Sequence, residues 1–207
     1  MKTIAILNQK GGSGKTTLTT NLAYGLVKNN YKTLIVDSDP QGSARDWNNE
    51  TEGSIVPVVG LDRPSLAKDI TTVTNSYDFV LIDGAPQLTA QMAAAIKVSD
   101  VVLIPAQPSP YDIWATSSLV DAIKQRQELG ADLKAYFVIS RAIKNTKLAK
   151  EAVEALKSYD LPLLNNMTTQ KVSYSNSAAA GKTVFHSSDK KAQLEISNIT
   201  KELLELI

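Results

Sequence analysis

Residues 10–17 read Lys-Gly-Gly-Ser-Gly-Lys-Thr-Thr. Gly11, Gly12 and Gly14, with Ser13 among them, let the backbone turn tightly and aim several N–H groups at phosphate oxygens. Lys15 would reach the β- and γ-phosphates of a nucleotide, and the Thr16 hydroxyl would sit on Mg²⁺. The run meets the phosphate-loop pattern G-x-x-x-x-G-K-[ST] except at its first position, where Gln9 stands in place of glycine. It carries instead Lys10, a second cation that one chain's phosphate site does not need.

Two acidic segments answer this loop. Leu34-Ile35-Val36 runs into Asp37-Ser38-Asp39-Pro40-Gln41-Gly42, and Phe79-Val80-Leu81-Ile82 ends in Asp83, followed by Gly84-Ala85-Pro86. An apolar strand closed by one aspartate is the form of a Walker B strand, whose carboxylate orients Mg²⁺ directly or through its waters. Asp37 and Asp39 are one residue apart, so in an extended segment both point the same way. One would help hold the metal's water shell and the other would position the attacking water.

A frame must bring these ends together. Thr3-Ile4-Ala5-Ile6-Leu7 is an apolar run of strand length before the loop, and Leu18, Leu22, Ala23, Leu26 and Val27 recur at helical spacing after it. Strand, loop, helix places a phosphate at a helix N-terminus. The patterning predicts strands over 2–8, 33–37, 55–59, 79–83, 101–105 and 134–140, with short ones near 162–165 and 183–185. It predicts helices over 15–29, 64–74, 88–98, 112–129, 146–158, 169–180 and 189–206. The expected fold class is α/β: one domain over 1–207, with a doubly wound, mostly parallel sheet covered by helices on both faces. Ligands in such sheets bind at the carboxyl ends of the strands.

Composition narrows the chemistry. The 207 residues carry a formal net charge of +1, with no cysteine and a single histidine, His186. Disulfides, thiolate metal sites, iron–sulfur clusters and cysteine nucleophiles are excluded, and histidine-based metal or triad chemistry nearly so. No apolar run approaches ~20 residues, and Met1-Lys2 leads straight into a core strand without a signal-peptide pattern. The expectation is a cytoplasmic protein with no membrane partner and no N-terminal accessory domain.

Taken together, the motifs resemble the deviant Walker-A P-loop ATPases of the ParA/MinD type. The resemblance rests on Lys10–Thr17, on Asp37–Gln41, on Asp83–Pro86, and on the stretch Ile104-Pro105-Ala106-Gln107-Pro108-Ser109-Pro110-Tyr111-Asp112. Ile139-Ser140-Arg141 adds to it, and the likeness runs on through Gly181-Lys182-Thr183-Val184-Phe185. The resemblance implies ATP or ADP with Mg²⁺ as cofactors. It implies that Lys10 is the signature lysine, reaching the nucleotide of the other subunit in an ATP-bound homodimer. A cation supplied in trans stabilises charge developing on the transferred phosphoryl group. By the same resemblance Lys15, Thr16 and Thr17 hold phosphates and Mg²⁺, Asp39 orients the attacking water, Asp37 is a metal-shell or switch residue, and Asp83 is the Walker B carboxylate. Arg141, Pro108 and Pro110 would line the adenine pocket, where a guanidinium can stack on the purine.

Within the superfamily the chain is most similar to the short, ParF-like plasmid partition ATPases. Relatives that need cysteines or a terminal tyrosine cluster do not fit. A MinD-like membrane helix would be basic, whereas residues 192–207 hold one lysine against three glutamates. Their apolar stripe reads as packing on the domain. The implied partners are a ParB/ParG-like centromere-binding adaptor and nonspecific DNA on the nucleoid, with possible higher-order assembly. A MinD-like or protein-cargo positioner is the alternative. Residues 134–191 contain ten basic side chains against four acidic ones, a net of +6. Lys147, Lys150, Lys171 and Lys182 are the candidate contacts to a phosphate backbone that is bound without reading sequence.

Overall fold

In the computed structural model residues 1–63, 65–87, 90–143 and 146–207 are described. Six strands form one sheet: β1 (Lys2–Ile6), β2 (Thr33–Asp37), β3 (Val58–Gly60), β4 (Phe79–Asp83), β5 (Val101–Ala106) and β6 (Lys134–Ile139). Their order is β3-β2-β4-β1-β5-β6, and every pairing is parallel. The chain grows to one side of β1 through β2 and β3 and to the other through β5 and β6. The loop after β1 therefore opens where the direction of growth reverses, the place where such sheets bind ligands.

The strands are apolar along nearly their whole length because both faces are covered. Ile4, Ile6, Ile35, Leu81 and Leu103 pack with α1 (Lys15–Lys28), α2 (Ser43–Asn49), α8 (Val172–Ala179) and α9 (Lys190–Leu206). Ala5, Leu7, Val36, Ile82 and Ile104 pack on the other face. That face is covered by α3 (Leu66–Val73), α4 (Ala90–Val98), α6 (Ser117–Glu128) and α7 (Lys147–Lys157), with Ile113 of α5 (Pro110–Trp114) joining the same core. The tail helix α9 buries Ile196, Ile199 and Leu203 completely, so its apolar stripe does pack on the domain. No helix among the described residues is long and apolar enough to cross a membrane.

Several expected elements come out differently. The span 112–129 is two helices, because the Ile113 carbonyl accepts the Thr116 N–H and hydroxyl and the Tyr159 hydroxyl and is lost to the helical ladder. Near 162–165 there is only an isolated bridge, Phe137 to Leu163. Residues 184–186 form a 3₁₀ turn rather than a strand, since Asn21 Oδ1 accepts the Val184 N–H that a strand partner would need. Helix α2 was not expected. It is short and polar, and the carboxylate that accepts its Arg45 N–H is Asp37, eight residues earlier at the end of β2. No local capping pattern reveals that bond. Strand β3 begins at Val58 rather than 55, and α8 begins at Val172 rather than 169. The expected starts of helices at 64 and 88 lie outside the described residues.

Candidate active site

The glycine loop joins β1 to α1 at the carboxyl edge of the sheet. Gly12 and Gly14 take φ of +75° and +99°, conformations that L side chains rarely adopt. Helix α1 starts immediately afterwards without a side-chain cap, leaving its first N–H groups for a ligand. The loop is pinned from three directions. Asn8 donates to the Pro105 carbonyl (2.7 Å) and accepts the Lys10 N–H (2.8 Å). Ser140 Oγ donates to the Ser13 carbonyl (2.6 Å), and Gln107 Nε2 donates to the Gly12 carbonyl (2.6 Å). Gln107 and Ser140 lie in stretches that carry the resemblance, yet that they hold the glycine loop shows only in the folded sheet, where the β5 and β6 ends meet it; Asn8 belongs to none of those stretches.

Behind the loop lie the carboxylates. Asp37 and Asp83 are register partners at the ends of β2 and β4. Asp83 is buried and accepts the Thr16 hydroxyl at 2.7 Å and the Thr19 hydroxyl at 3.3 Å. Burial pushes its carboxyl up to about 7, aided by neighbouring Asp37 and opposed by the hydroxyls and by Lys15. Lys15 is also buried; its ammonium donates to the Lys10 carbonyl at 3.1 Å, and desolvation lowers its pKa against the pull of Asp83 and Asp39.

A cleft of about 1230 Å³ opens above these groups. Gly11, Gly12, Gly14, Lys15, Thr16, Thr17, Asp39 and Arg141 all line it. It is extended by Ser140 and by residues 168–172; the sequence marks Ser140 within Ile139-Ser140-Arg141 and Lys171 as a candidate DNA contact, but neither as a wall of this cleft. Arg141 takes φ of +55°, a strained conformation of the kind that gathers at functional sites.

Other expected residues sit elsewhere. Pro108 and Pro110 do not line the cleft with Arg141; Pro110 opens α5 beyond the loop. The Ser13 hydroxyl is buried in the loop rather than facing the cleft. Asp37 is fully buried, and its two oxygens accept the backbone N–H groups of Asp39 and Arg45, so it fastens a loop. Burial raises its pKa against those two hydrogen bonds and the Arg45 charge. Lys10 turns away from its own cleft toward Asp112, at 2.6 Å. Lys171 is 19% exposed and paired with Glu195 at 3.1 Å, which removes it from the set of free cations. Lys147, Lys150 and Lys182 are exposed, and Lys147 pairs with Glu151 within its helix. Lys144, counted in the basic segment, lies outside the described residues.

The residues present fit a magnesium nucleotide. Among the described residues no cation bonds the buried Asp83 carboxylate, and a hydroxyl lies 2.7 Å away. No cluster of three or more His, Cys, Asp or Glu among the described residues could hold a metal alone. Mg²⁺ characteristically binds through one or two carboxylates plus substrate phosphates.

Known proteins resemble the chain in sequence and in fold. The chain is 28% identical to maintenance of carboxysome distribution protein A of Halothiobacillus neapolitanus, over 98% of this chain and 96% of that one. Its fold matches a plasmid partition protein of Borrelia burgdorferi bound to AMPPNP, with a TM-score of 0.79, 22% identity and coverage of 100% and 99%. It also matches the septum site-determining protein MinD of Pyrococcus horikoshii in complex with Mg-ADP, with a TM-score of 0.78, 18% identity and coverage of 99% and 96%. The family described as the CobQ/CobB/MinD/ParA nucleotide binding domain matches residues 4–184, and the chain belongs to that family.

Proposed function

We propose that this protein is a Mg²⁺-dependent ATPase that works as a dimerisation switch, positioning plasmid or chromosomal DNA through an adaptor protein. The observation that carries the reading is the bond between Thr16 and Asp83, set behind a glycine loop that also presents Lys15. Loop N–H groups and Lys15 would bind the phosphates, with Thr16 and Asp83 holding Mg²⁺. When bound, the ion would neutralise charge on the phosphates. Asp39 lines the cleft, with Oδ1 accepting the Gln41 N–H at 3.0 Å, and would orient the attacking water. Arg141 would stack on the base. Lys10 would act in trans, since in its own subunit it faces Asp112.

DNA contact would fall to the exposed lysines Lys147, Lys150 and Lys182, with affinity raised when two subunits present them together. A second reading has support of its own: the full-length similarity to a carboxysome distribution protein favours a protein cargo moved by the same switch. The two readings share the enzyme and differ in the adaptor.

The experiment is phosphate release from ATP with Mg²⁺ and with a chelator, followed by gel shift on unrelated DNA fragments with ATP and with ADP. Mg²⁺-dependent turnover and ATP-dependent, sequence-indifferent binding support the proposal. No turnover under any condition contradicts the ATPase reading, and no DNA binding in ATP contradicts the DNA reading.

A further inference from the structure

Arg45 belongs to no motif, yet it holds together the loop that carries Asp39. Its Nη2 donates to the Asp39 carbonyl at 2.9 Å and stands 3.1 Å from Asp62 Oδ2. Its Nε lies 3.4 Å from Asp37 Oδ2, in ion-pair range though without a formed hydrogen bond. Its backbone N–H donates to that same Asp37 oxygen at 2.9 Å. Two glycines make the slot for the side chain. A Cβ at Gly42 would meet the guanidinium at 3.2 Å, and one at Gly60 would meet Arg45 Cδ at 3.0 Å. One guanidinium thus ties the end of β2, the Asp39 loop and the loop after β3. Its planar fork suits that task, which a single ammonium cannot reproduce.

We propose that Arg45 is a positioning residue: it fixes the main chain at Asp39 and thereby aims the Asp39 carboxylate at the phosphate end of the cleft. The inference rests on the ATPase reading above. Asp39 is tethered by its own carbonyl to Arg45 while its side chain lines the cleft. Loss of the tether leaves Lys15, Thr16 and the glycine loop untouched, so nucleotide binding and turnover separate.

The test compares wild type, Arg45→Ala, Arg45→Lys and Asp62→Asn as full chains. Arg45→Ala should lower kcat by about 10- to 100-fold, the scale of a misplaced catalytic group. Its KM for ATP should stay within about twofold, because ground-state binding is not touched. Arg45→Lys should recover only part of the loss, Asp62→Asn should show a smaller loss of kcat, and added guanidinium ion should raise the rate of Arg45→Ala but not of wild type. Equal kcat in Arg45→Ala and wild type overturns the inference, as does a rise in KM matched to the loss of kcat/KM. Hydrogen exchange over residues 37–46 gives a readout independent of turnover. Faster exchange there in Arg45→Ala and Arg45→Lys, with the glycine loop unchanged, supports the tether even if wild type proves inactive; unchanged exchange contradicts it.

Discussion

Lys10 and Asp112 form a 2.6 Å ion pair between the glycine loop and helix α5, in which the aspartate side chain is buried and the lysine side chain is 42% exposed. Among the described residues none hydrogen-bonds the buried Oδ1 of Asp112. The second lysine of the loop is therefore engaged in its own subunit by a group remote from the phosphate cradle.

On the trans-acting reading, Lys10→Ala should bind ATP as a monomer within a factor of about three of wild type, a difference under about 1 kcal/mol. Its hydrolysis should fall by about 10³-fold, the scale for losing a cation supplied in trans. Because the truncation strands a buried carboxylate, Lys10→Ala/Asp112→Asn serves as the stability control. Normal turnover in both variants contradicts the role.

Lys15→Ala should lose ATP binding at equilibrium. Lys15 is the buried cation of the loop, and its ammonium donates to the backbone carbonyl of Lys10. Labelled-ATP titration measures it, and wild-type affinity would rule out the phosphate role.

A Cβ at Gly11 would meet nothing within 4 Å in the single chain. Gly11→Val should therefore fold with an unchanged melting temperature, while ATP-dependent dimerisation falls. Sizing with ATP and thermal unfolding without it separate the two. Unchanged dimerisation would show that Gly11 meets no facing subunit.

Asp83 gives a pH prediction whose sign is fixed by burial. Its folded carboxyl is raised from 3.8 to about 7, so the folded state holds a proton that the unfolded chain has released. The associated stability is present below about pH 4 and is lost as pH rises toward 7. Without nucleotide or Mg²⁺, Asp83→Asn should match wild type near pH 4 and melt higher at pH 8. At roughly 2–4 °C per kcal/mol for a chain of this size, a gain of several degrees is expected. Thermal unfolding at the two pH values checks it. A loss of stability at pH 8 would contradict the burial argument.

Much of this was legible in advance, and the reason is local. The glycine loop, the strand ending in Asp83 and the strand ending in Asp37 announce themselves by contiguous residue types, and both-face burial makes the central strands continuous apolar runs. What was not legible depends on residues meeting across the sheet. Ser140 reaches Ser13 across 127 positions, and Asp112 reaches Lys10 across 102. Residues 168–172 line the cleft only because Ala142 bridges Thr169 beyond the end of β6. Lys171 looked free by count, and only the fold shows Glu195 beside it.

That ion pair revises the DNA prediction. Lys147→Glu/Lys150→Glu should weaken ATP-dependent DNA binding and leave basal hydrolysis intact. Lys171→Glu should instead destabilise the protein by facing Glu195, so a loss of DNA binding there would not report on contact. Gel shifts at two salt concentrations, read beside melting temperatures, distinguish the cases. Full binding by Lys147→Glu/Lys150→Glu would place the DNA surface off α7.

In the proposed switch, ATP closes two copies of this chain and hydrolysis opens them. The most direct measurement is light-scattering mass of Asp39→Ala with Mg-ATP, with Mg-ADP and with neither. Asp39 lines the cleft without being part of the glycine loop, so its removal should spare binding and block turnover. A persistent dimer is expected in Mg-ATP and a monomer in the other two conditions. A monomer in all three, with ATP shown to be bound, would contradict it.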